Sequence, residues 1–167
     1  MEPSSIKKTP SPNIKPTIGR SEKIGLPQFG LSNVDAKIDT GAYSSSMHCS
    51  LIDIIEQDGV KKLKIIPLRY TDKPYMGEPF LYPYTDKKKV KNSFGKVEER
   101  YVIKCPVYIF GRQIMTEFSL TDRTNMKFPI LLGRKFLKKN FVVDVSLKDR
   151  SVKSEARASK KSLNQES

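Results

Sequence analysis

The stretch that decides the fold is Val34-Asp35-Ala36-Lys37-Ile38-Asp39-Thr40-Gly41-Ala42. Apolar and polar side chains alternate up to Ile38, which predicts a half-buried β-strand that ends at the carboxylate of Asp39. An acid presented in this way is typical of sites where two neighbouring carboxylates share a proton and hold a water nucleophile. The sequence contains one Asp-Thr-Gly, so the partner acid must come from elsewhere. Taken alone, the same tripeptide also fits a turn capped by its aspartate.

Period-two alternation continues through much of the chain. Residues 101–109 and 114–120 alternate on either side of Gly111-Arg112, which predicts a long β-hairpin. Further strands are predicted at 63–70, 88–91 and 141–147. Only residues 133–139 look helical, as a short amphipathic turn with Phe136 and Leu137 facing inward. Many short strands and one short helix near the C-terminus predict an all-β barrel or sandwich.

The length of 167 residues fits one domain with a hydrophobic core. Residues 1–20 are rich in Pro, Ser, Thr and Lys, a composition that buries too little apolar surface to become ordered. Residues 149–167 have the same character. The sequence therefore predicts a disordered basic arm over 1–20, a folded domain over 21–148 and a disordered basic tail over 149–167.

The chain carries 31 Lys and Arg against 18 Asp and Glu, a net charge of +13. This charge favours anionic partners, such as nucleic acid, acidic peptides or lipid headgroups, without choosing among them. The aromatic residues of 74–84 cluster with proline instead of interleaving with arginine on a strand face, which argues against a nucleic-acid binder. Neither a signal peptide nor a membrane-spanning run is recognisable, so we expect a cytoplasmic location.

The sequence gives little support for a metal site or for a phosphate-binding loop. His48 is the one histidine, and Cys49 beside it would point to the opposite face of a strand. A zinc site needs three or four convergent ligands, and neither His-Glu-x-x-His nor Cys-x-x-Cys occurs. The phosphate-binding pattern Gly-x-x-x-x-Gly-Lys-Ser/Thr is also missing. We expect no metal, no cofactor and two free thiols.

Residues 71–96 form an unusual segment, in which Pro and Gly interrupt a series of tyrosines and phenylalanines. A loop of this length with apolar tips is more often functional than filler. It is the candidate for a flap that covers the substrate.

Three stretches together indicate a family. They are Ala36–Ala42, then Asn92-Ser93-Phe94-Gly95 followed by Glu98–Ile103, and Asn125-Met126-Lys127-Phe128-Pro129-Ile130-Leu131-Leu132-Gly133-Arg134. In this order they resemble the retropepsin-like aspartic peptidase family long labelled as ATP-dependent zinc proteases. The resemblance covers roughly residues 19–147.

This resemblance implies a closed, single-lobed barrel of the acid-protease fold that works as a homodimer. Asp39 of each subunit would act as general base and acid in turn, as one coupled pair. Thr40 would hydrogen-bond across the dimer, and Gly41 would allow the two loops to approach closely. Leu132 and Gly133 would pack beneath the loop.

The resemblance also points to supporting residues: Ala42, Lys37, Arg100, Arg123 and Arg134. Lys37 is a solvated strand residue or a charge near the acid pair. The three arginines either pair with acids within the fold or bind a carboxylate of the substrate.

The family is associated with ATP-grasp ligases that add glutamate tails to proteins. The resemblance therefore implies a polypeptide substrate that is acidic or glutamate-tailed, and a functional link to such a ligase. Lysines at 61–64, 87–91 and 96 would favour that substrate by charge, or would only keep the domain soluble. The alternative is a catalytically silent module that binds acidic or ligase-modified polypeptides with the same fold.

Overall fold

The computed structural model describes residues 14–68, 79–92 and 94–165. Within these ranges the chain forms twelve strands and two α-helices, with a 3-10 turn at Pro27–Phe29. The strands are β1 (Thr17–Ile18), β2 (Ser21–Leu26), β3 (Leu31–Ile38), β4 (Ser45–Gln57), β5 (Val60–Pro67), β6 (Phe80–Pro83), β7 (Lys88–Lys91), β8 (Val97–Arg100), β9 (Val102–Ile109), β10 (Arg112–Thr121), β11 (Ile130–Leu132) and β12 (Val142–Val143). The helices are α1 (Arg134–Leu137) and α2 (Arg150–Leu163).

Six strands close into a barrel. Their order is β10-β9-β2-β3-β11-β4, and β4 pairs back to β10 in parallel, with Ser45 opposite Phe118. Closure leaves no open edge among these six strands. The predicted all-β barrel is therefore confirmed.

The alternation in the sequence builds the core of this barrel. Every second side chain of β2 and β9 is buried, including Ile24, Ile103 and Val107. Phe118 of β10 and Leu132 of β11 are fully enclosed by the same cluster. The core thus sits inside the barrel and supports the end where β3 and β11 finish.

The predicted hairpin and short helix are also confirmed. β9 and β10 pair in register from Arg112 opposite Ile109 to Ser119 opposite Val102. The turn is Phe110-Gly111, one residue earlier than predicted, and both residues have positive φ, 51° and 71°. This is the backbone that a tight two-residue hairpin requires. In α1 the side chains of Phe136 and Leu137 are buried as expected.

Strands outside the barrel follow the predictions less closely. β4 is 13 residues long and continues beyond the barrel to pair with β5, which in turn pairs with β6. The strand predicted at 63–70 is β5, with residues 69–70 outside the described ranges. β7 matches the prediction for 88–91 and pairs with β8 as a separate hairpin. Of the strand predicted at 141–147, only β12 forms.

Both predicted domain boundaries need correction. Residues 149–167 were expected to be disordered, but α2 occupies most of them, because a buried carboxylate on β2 holds its first turn. The boundary at residue 20 is also too late, since β1 pairs with β12 and Ile18 is fully buried. Residues 1–13 of the predicted arm lie outside the described ranges.

Candidate active site

Asp39 lies immediately after the last residue of β3. Its N–H donates to the carbonyl of Leu132 at 3.0 Å, which continues the pairing of β3 with β11 by one residue. The Asp39 side chain is partly exposed, and its Oδ1 accepts the N–H of Gly41 at 2.9 Å. Thr40 and Gly41 are exposed at the tip of the turn. The structure thus shows the predicted strand, with a carboxylate at its end.

The position of β11 explains why the chain must turn at this point. β3 and β4 are consecutive in the chain, but β11 lies between them, parallel to β3 and antiparallel to β4. Residues 39–44, here called the Asp39 loop, therefore have to cross the end of β11. The acid is placed at one end of the barrel, above the core side chain of Leu132.

Gly133 allows the Asp39 loop to rest directly on the chain that follows β11. A Cβ at this position would lie 2.6 Å from the carbonyl oxygen of Ser44 and 2.9 Å from that of Ala42. The Gly133 N–H instead donates to Ser45 Oγ at 3.1 Å. No larger residue fits without displacing the backbone of the loop.

The first turn of α1 holds the loop from the other side. The N–H groups of Arg134 and Lys135 donate to the carbonyls of Ala42 and Tyr43 at 2.8 and 2.9 Å. These are N–H groups that a helix cannot satisfy within itself. The loop thereby caps the helix, and the helix fixes the loop.

Arg134 adds a side-chain contact to the same loop. Its Nη1 donates to the carbonyl of Thr40 at 3.0 Å, and its guanidinium lies 5.8 Å from the ring centre of Tyr43. Arginine is suited to this double role because its planar cation both donates and stacks. The observed partner is thus a backbone carbonyl of the loop, where the sequence had suggested an acid.

The structure therefore brings together seven of the predicted site residues: Asp39, Thr40, Gly41, Ala42, Leu132, Gly133 and Arg134. The other three belong to the surrounding scaffold. Lys37 is exposed on β3. Arg100 donates twice to one oxygen of Glu98, at 2.8 and 3.1 Å, and this hydrogen bonding lowers the pKa of Glu98.

Arg123 bonds to neutral oxygens. Its Nε donates to the carbonyl of Phe128 at 3.0 Å and its Nη1 to Ser46 Oγ at 3.2 Å. The pairing with an acid that the sequence suggested is observed for Arg100, and the carbonyl and hydroxyl contacts of Arg123 and Arg134 brace loops. Binding of a substrate carboxylate by any of the three stays a prediction.

Two residues that sequence reasoning missed support the same region. Tyr43 is 62% exposed on the Asp39 loop, and its position directly after Asp39-Thr40-Gly41-Ala42 could have drawn attention to it. His48 was considered only as a metal ligand. It is buried, and its Nδ1 accepts the N–H of Arg123 at 2.7 Å, so it positions the segment before β11.

The predicted flap, residues 71–96, is described in part. Residues 71–78 and 93 lie outside the described ranges. The remainder includes the β7–β8 hairpin, where Phe94 is 95% exposed and Asn92 Oδ1 accepts the N–H groups of Phe94 and Lys96. Glu117 links this hairpin to α1, since it contacts Lys88 at 3.3 Å and Lys135 at 3.4 Å. Its role as a flap stays a prediction.

Burial would raise the pKa of Glu117, but the hydrogen bond from Lys88 and the charges of both lysines lower it overall.

Within residues 14–68, 79–92 and 94–165, no group of three or more His, Cys, Asp or Glu side chains could hold a metal ion. In the same ranges no helix is both long and apolar enough to cross a membrane. Independence from metals and a cytoplasmic location stay predictions.

Comparison with known families agrees with this geometry. Residues 17–154 match the model of a family described as RimB-like, the retropepsin-like aspartic endopeptidase RimB. The chain belongs to this RimB-like family. The match runs from β1 into α2, so it includes the whole barrel and the Asp39 loop. It confirms the retropepsin-like fold that the three sequence stretches indicated.

The curated relatives carry a different name. A probable alpha-L-glutamate ligase of Desulfotalea psychrophila is 31% identical over 135 residues, which are 80% of this chain and 29% of the relative. One from Shewanella halifaxensis is 29% identical over 139 residues, 77% of this chain and 28% of the relative. The RimB-like chain thus spans less than a third of the length of the curated relatives it matches.

A solved structure shares the architecture. The crystal structure of a Legionella pneumophila protein of unknown function superposes with a TM-score of 0.61 at 28% sequence identity. The superposition covers 81% of the RimB-like chain and 98% of that protein.

Proposed function

We propose that this protein is a homodimeric aspartic endopeptidase in which Asp39 of each subunit activates water for hydrolysis of a peptide bond. The observation that carries the proposal is the Asp39 carboxylate, which stands partly exposed on a loop that β11 and α1 hold rigidly. One chain supplies one such carboxylate. Because the chemistry needs two acids with one proton between them, two chains have to meet at this loop.

The reaction follows from that pairing. One carboxylate accepts a proton from a water molecule while the water oxygen bonds to the peptide carbonyl carbon, and the protonated carboxyl of the other Asp39 donates to the carbonyl oxygen. The tetrahedral intermediate then breaks its C–N bond, and the amine leaves with a proton from the acid pair. Thr40 and Gly41 are exposed at the tip of the loop, which suits them to contact the second subunit.

The proposed substrates are polypeptides with acidic or glutamate-tailed segments. The net charge of +13 and the lysines on the β7–β8 hairpin favour them electrostatically. The glutamate-ligase name of the relatives supports the same class and a functional link to an ATP-grasp ligase.

The test is hydrolysis by the purified full chain. Fluorogenic peptides with glutamate-rich or glutamine-rich tails are incubated across the pH range, with and without a chelator. Wild type is compared with Asp39→Asn and with Asp53→Asn, which removes an exposed carboxylate from β4. The proposal expects hydrolysis that Asp39→Asn abolishes, that Asp53→Asn and chelator leave unchanged, and that favours the glutamate tails at low salt.

Two results would overturn it. The first is a chain that stays monomeric by sedimentation at concentrations where it hydrolyses peptides. The second is a folded wild-type protein that cleaves none of the peptides but binds the glutamate-tailed ones, which would establish the binding module instead.

A further inference from the structure

A cavity of about 290 Å³ lies beside α2, and none of its lining residues belongs to the Asp39 loop. One part of its wall is the face of α2 that carries Arg150, Lys153 and Arg157. Residues spaced by three and four positions lie on the same side of a helix, so these cations converge. Pro16 and Phe110, from the segment before β1 and from the β9–β10 turn, contribute apolar surface.

The cations of this cavity have no close ionic partner among the described residues. Across residues 14–68, 79–92 and 94–165, none of the three cations forms an ion pair. Lys153 Nζ reaches only the carbonyl of Lys148, at 3.3 Å. Like charges at this spacing repel each other, so an anion bound among them would relieve an unfavourable interaction.

The nearby acids have other hydrogen-bond partners. The Asp144 carboxylate accepts the N–H and the hydroxyl of Ser146 at 2.9 and 2.6 Å, and these bonds, with a smaller contribution from the charge of Arg150, lower its pKa. The Glu155 carboxylate accepts the hydroxyl of Ser151 at 3.3 Å, on the side of α2 that faces the barrel. Neither side chain lines the cavity.

The cavity is also rigidly built. Glu22, which is fully buried, accepts the N–H of Gly19 at 2.8 Å and the N–H of Ser151 at 3.0 Å. Ser151 Oγ in turn accepts the N–H of Phe110 at 2.8 Å. These bonds tie the first turn of α2 to β2 and to the β9–β10 turn. The backbone of the first turn of α2 and of the β9–β10 turn is therefore held in place before any ligand arrives, which lowers the entropy cost of binding.

We propose that this cavity is a second binding site, which takes glutamate side chains of an acidic polypeptide and is separate from Asp39. Arginine forks bind carboxylates bidentately, and Phe110 and Pro16 offer apolar surface to the methylene groups of glutamate. From residue 150 to residue 157 the helix rises about 10 Å, and same-side chains of an extended peptide repeat about every 7 Å. Two glutamates of one peptide thus fit the cationic face.

A nucleic acid fits this face less well. Its phosphates continue along a wide surface, whereas the cations that line the cavity form a short stripe on one helix. The choice of an acidic polypeptide rests on the substrate class proposed above. The binding itself needs no catalysis, so it can be tested in a protein that cannot cleave.

The experiment measures binding of a fluorescent hexaglutamate peptide to full-length Asp39→Asn protein by anisotropy at low salt, with hexaglutamine as the control peptide. Lys153→Gln/Arg157→Gln removes two charges from the cavity. Lys160→Gln/Lys161→Gln removes the same charge from the same helix outside it. We expect the first pair to weaken binding about tenfold and the second by less than about twofold. Lys153→Arg/Arg157→Lys keeps the charge and should bind as the parent does.

Equal weakening by both neutralised variants would overturn the site, because it would mean diffuse attraction to the helix. If a single-stranded DNA oligonucleotide bound more tightly than hexaglutamate, and if the same cavity variant lost this binding, the proposed ligand class would be wrong. Circular dichroism of each variant checks that α2 remains helical. The outcome is independent of the endopeptidase proposal. If the wild type hydrolysed peptides and the cavity variant bound hexaglutamate as tightly as its parent, only the second binding site would be disproved.

Discussion

Two carboxylates on neighbouring strands of the barrel have opposite surroundings. Glu22 of β2 pairs in register with Ala36 of β3, three residues before Asp39. Glu22 is fully buried, and its two oxygens accept backbone N–H groups at 2.8 and 3.0 Å. Asp39 is partly exposed and bonds to Gly41 within its own turn. The comparison shows that the role of a carboxylate depends on its burial and on the backbone N–H donors around it more than on residue type. Glu22 stabilises the fold, whereas Asp39 is open to water.

The largest expected effect comes from the exposed acid. Asp39→Asn should lower peptide hydrolysis by roughly two to four orders of magnitude, the usual contribution of a general acid–base group. The free energy of unfolding should change by less than about 0.5 kcal/mol, because little else depends on this side chain. Hydrolysis assays and urea unfolding of the same preparation measure both quantities. A large loss of stability would contradict the contrast with Glu22.

The buried acid should behave in the opposite way. Glu22→Gln leaves one carboxamide oxygen for two backbone donors, so the unfolding free energy should fall by about 2–3 kcal/mol. The first turn of α2 should lose its helical structure before the barrel unfolds, because the Ser151 N–H loses its carboxylate acceptor. Hydrolysis per folded molecule should stay within about twofold, because the general acid–base group is untouched. Glu56→Gln, on the exposed end of β4, is the control and should leave stability unchanged.

Two glycines next to the acid sharpen the comparison further. Gly133→Ala places a Cβ 2.6 Å from a backbone oxygen, so it should lower the unfolding free energy by about 1–3 kcal/mol. In Gly41→Ala the nearest atom is the movable Asp39 Oδ1, at 3.2 Å. That variant should lose activity with a stability change below about 1 kcal/mol. Thermal melting and hydrolysis rates distinguish the two, and equal destabilisation would argue against a rigid contact at Gly133.

The smallest change in stability expected at neutral pH comes from the two buried thiols, which are weak acids. Cys49 and Cys105 are buried free thiols, and burial raises the pKa of each to about 12, with the Cys105 charge adding to the shift at Cys49. The unfolded chain ionises its thiols near pH 8.5, so the folded state binds more protons above that value and stability falls as pH rises. Up to pH 8 the loss should stay below about 0.5 kcal/mol.

Urea unfolding at pH 7, 8 and 10 measures this dependence. A Cys49→Ala/Cys105→Ala variant should show a shallower decline above pH 9 than the wild type. A decline of the same steepness would show that other groups cause it.

Local pattern made much of the barrel and the site predictable. The alternation before Asp39, the hairpin around Gly111 and the short helix after Gly133 each depend on neighbours in the sequence. The domain ends were not predictable in this way. α2 shows little apolar surface of its own, and it is fixed by Glu22, which is 129 residues away from Ser151. Likewise Arg134 reaches across 94 residues to the carbonyl of Thr40, so composition could not reveal its partner.

The sequence by itself determined the strand periodicity, the carboxylate at the end of β3 and the glycine that later lies beneath it, because side-chain spacing and backbone permissiveness are local properties. The tertiary structure decided that β11 enters between β3 and β4, which acid is buried and which is open, and where the cations of α2 converge. Those outcomes depend on long-range hydrogen bonds and on the closure of the barrel, which bring together residues that no local pattern connects.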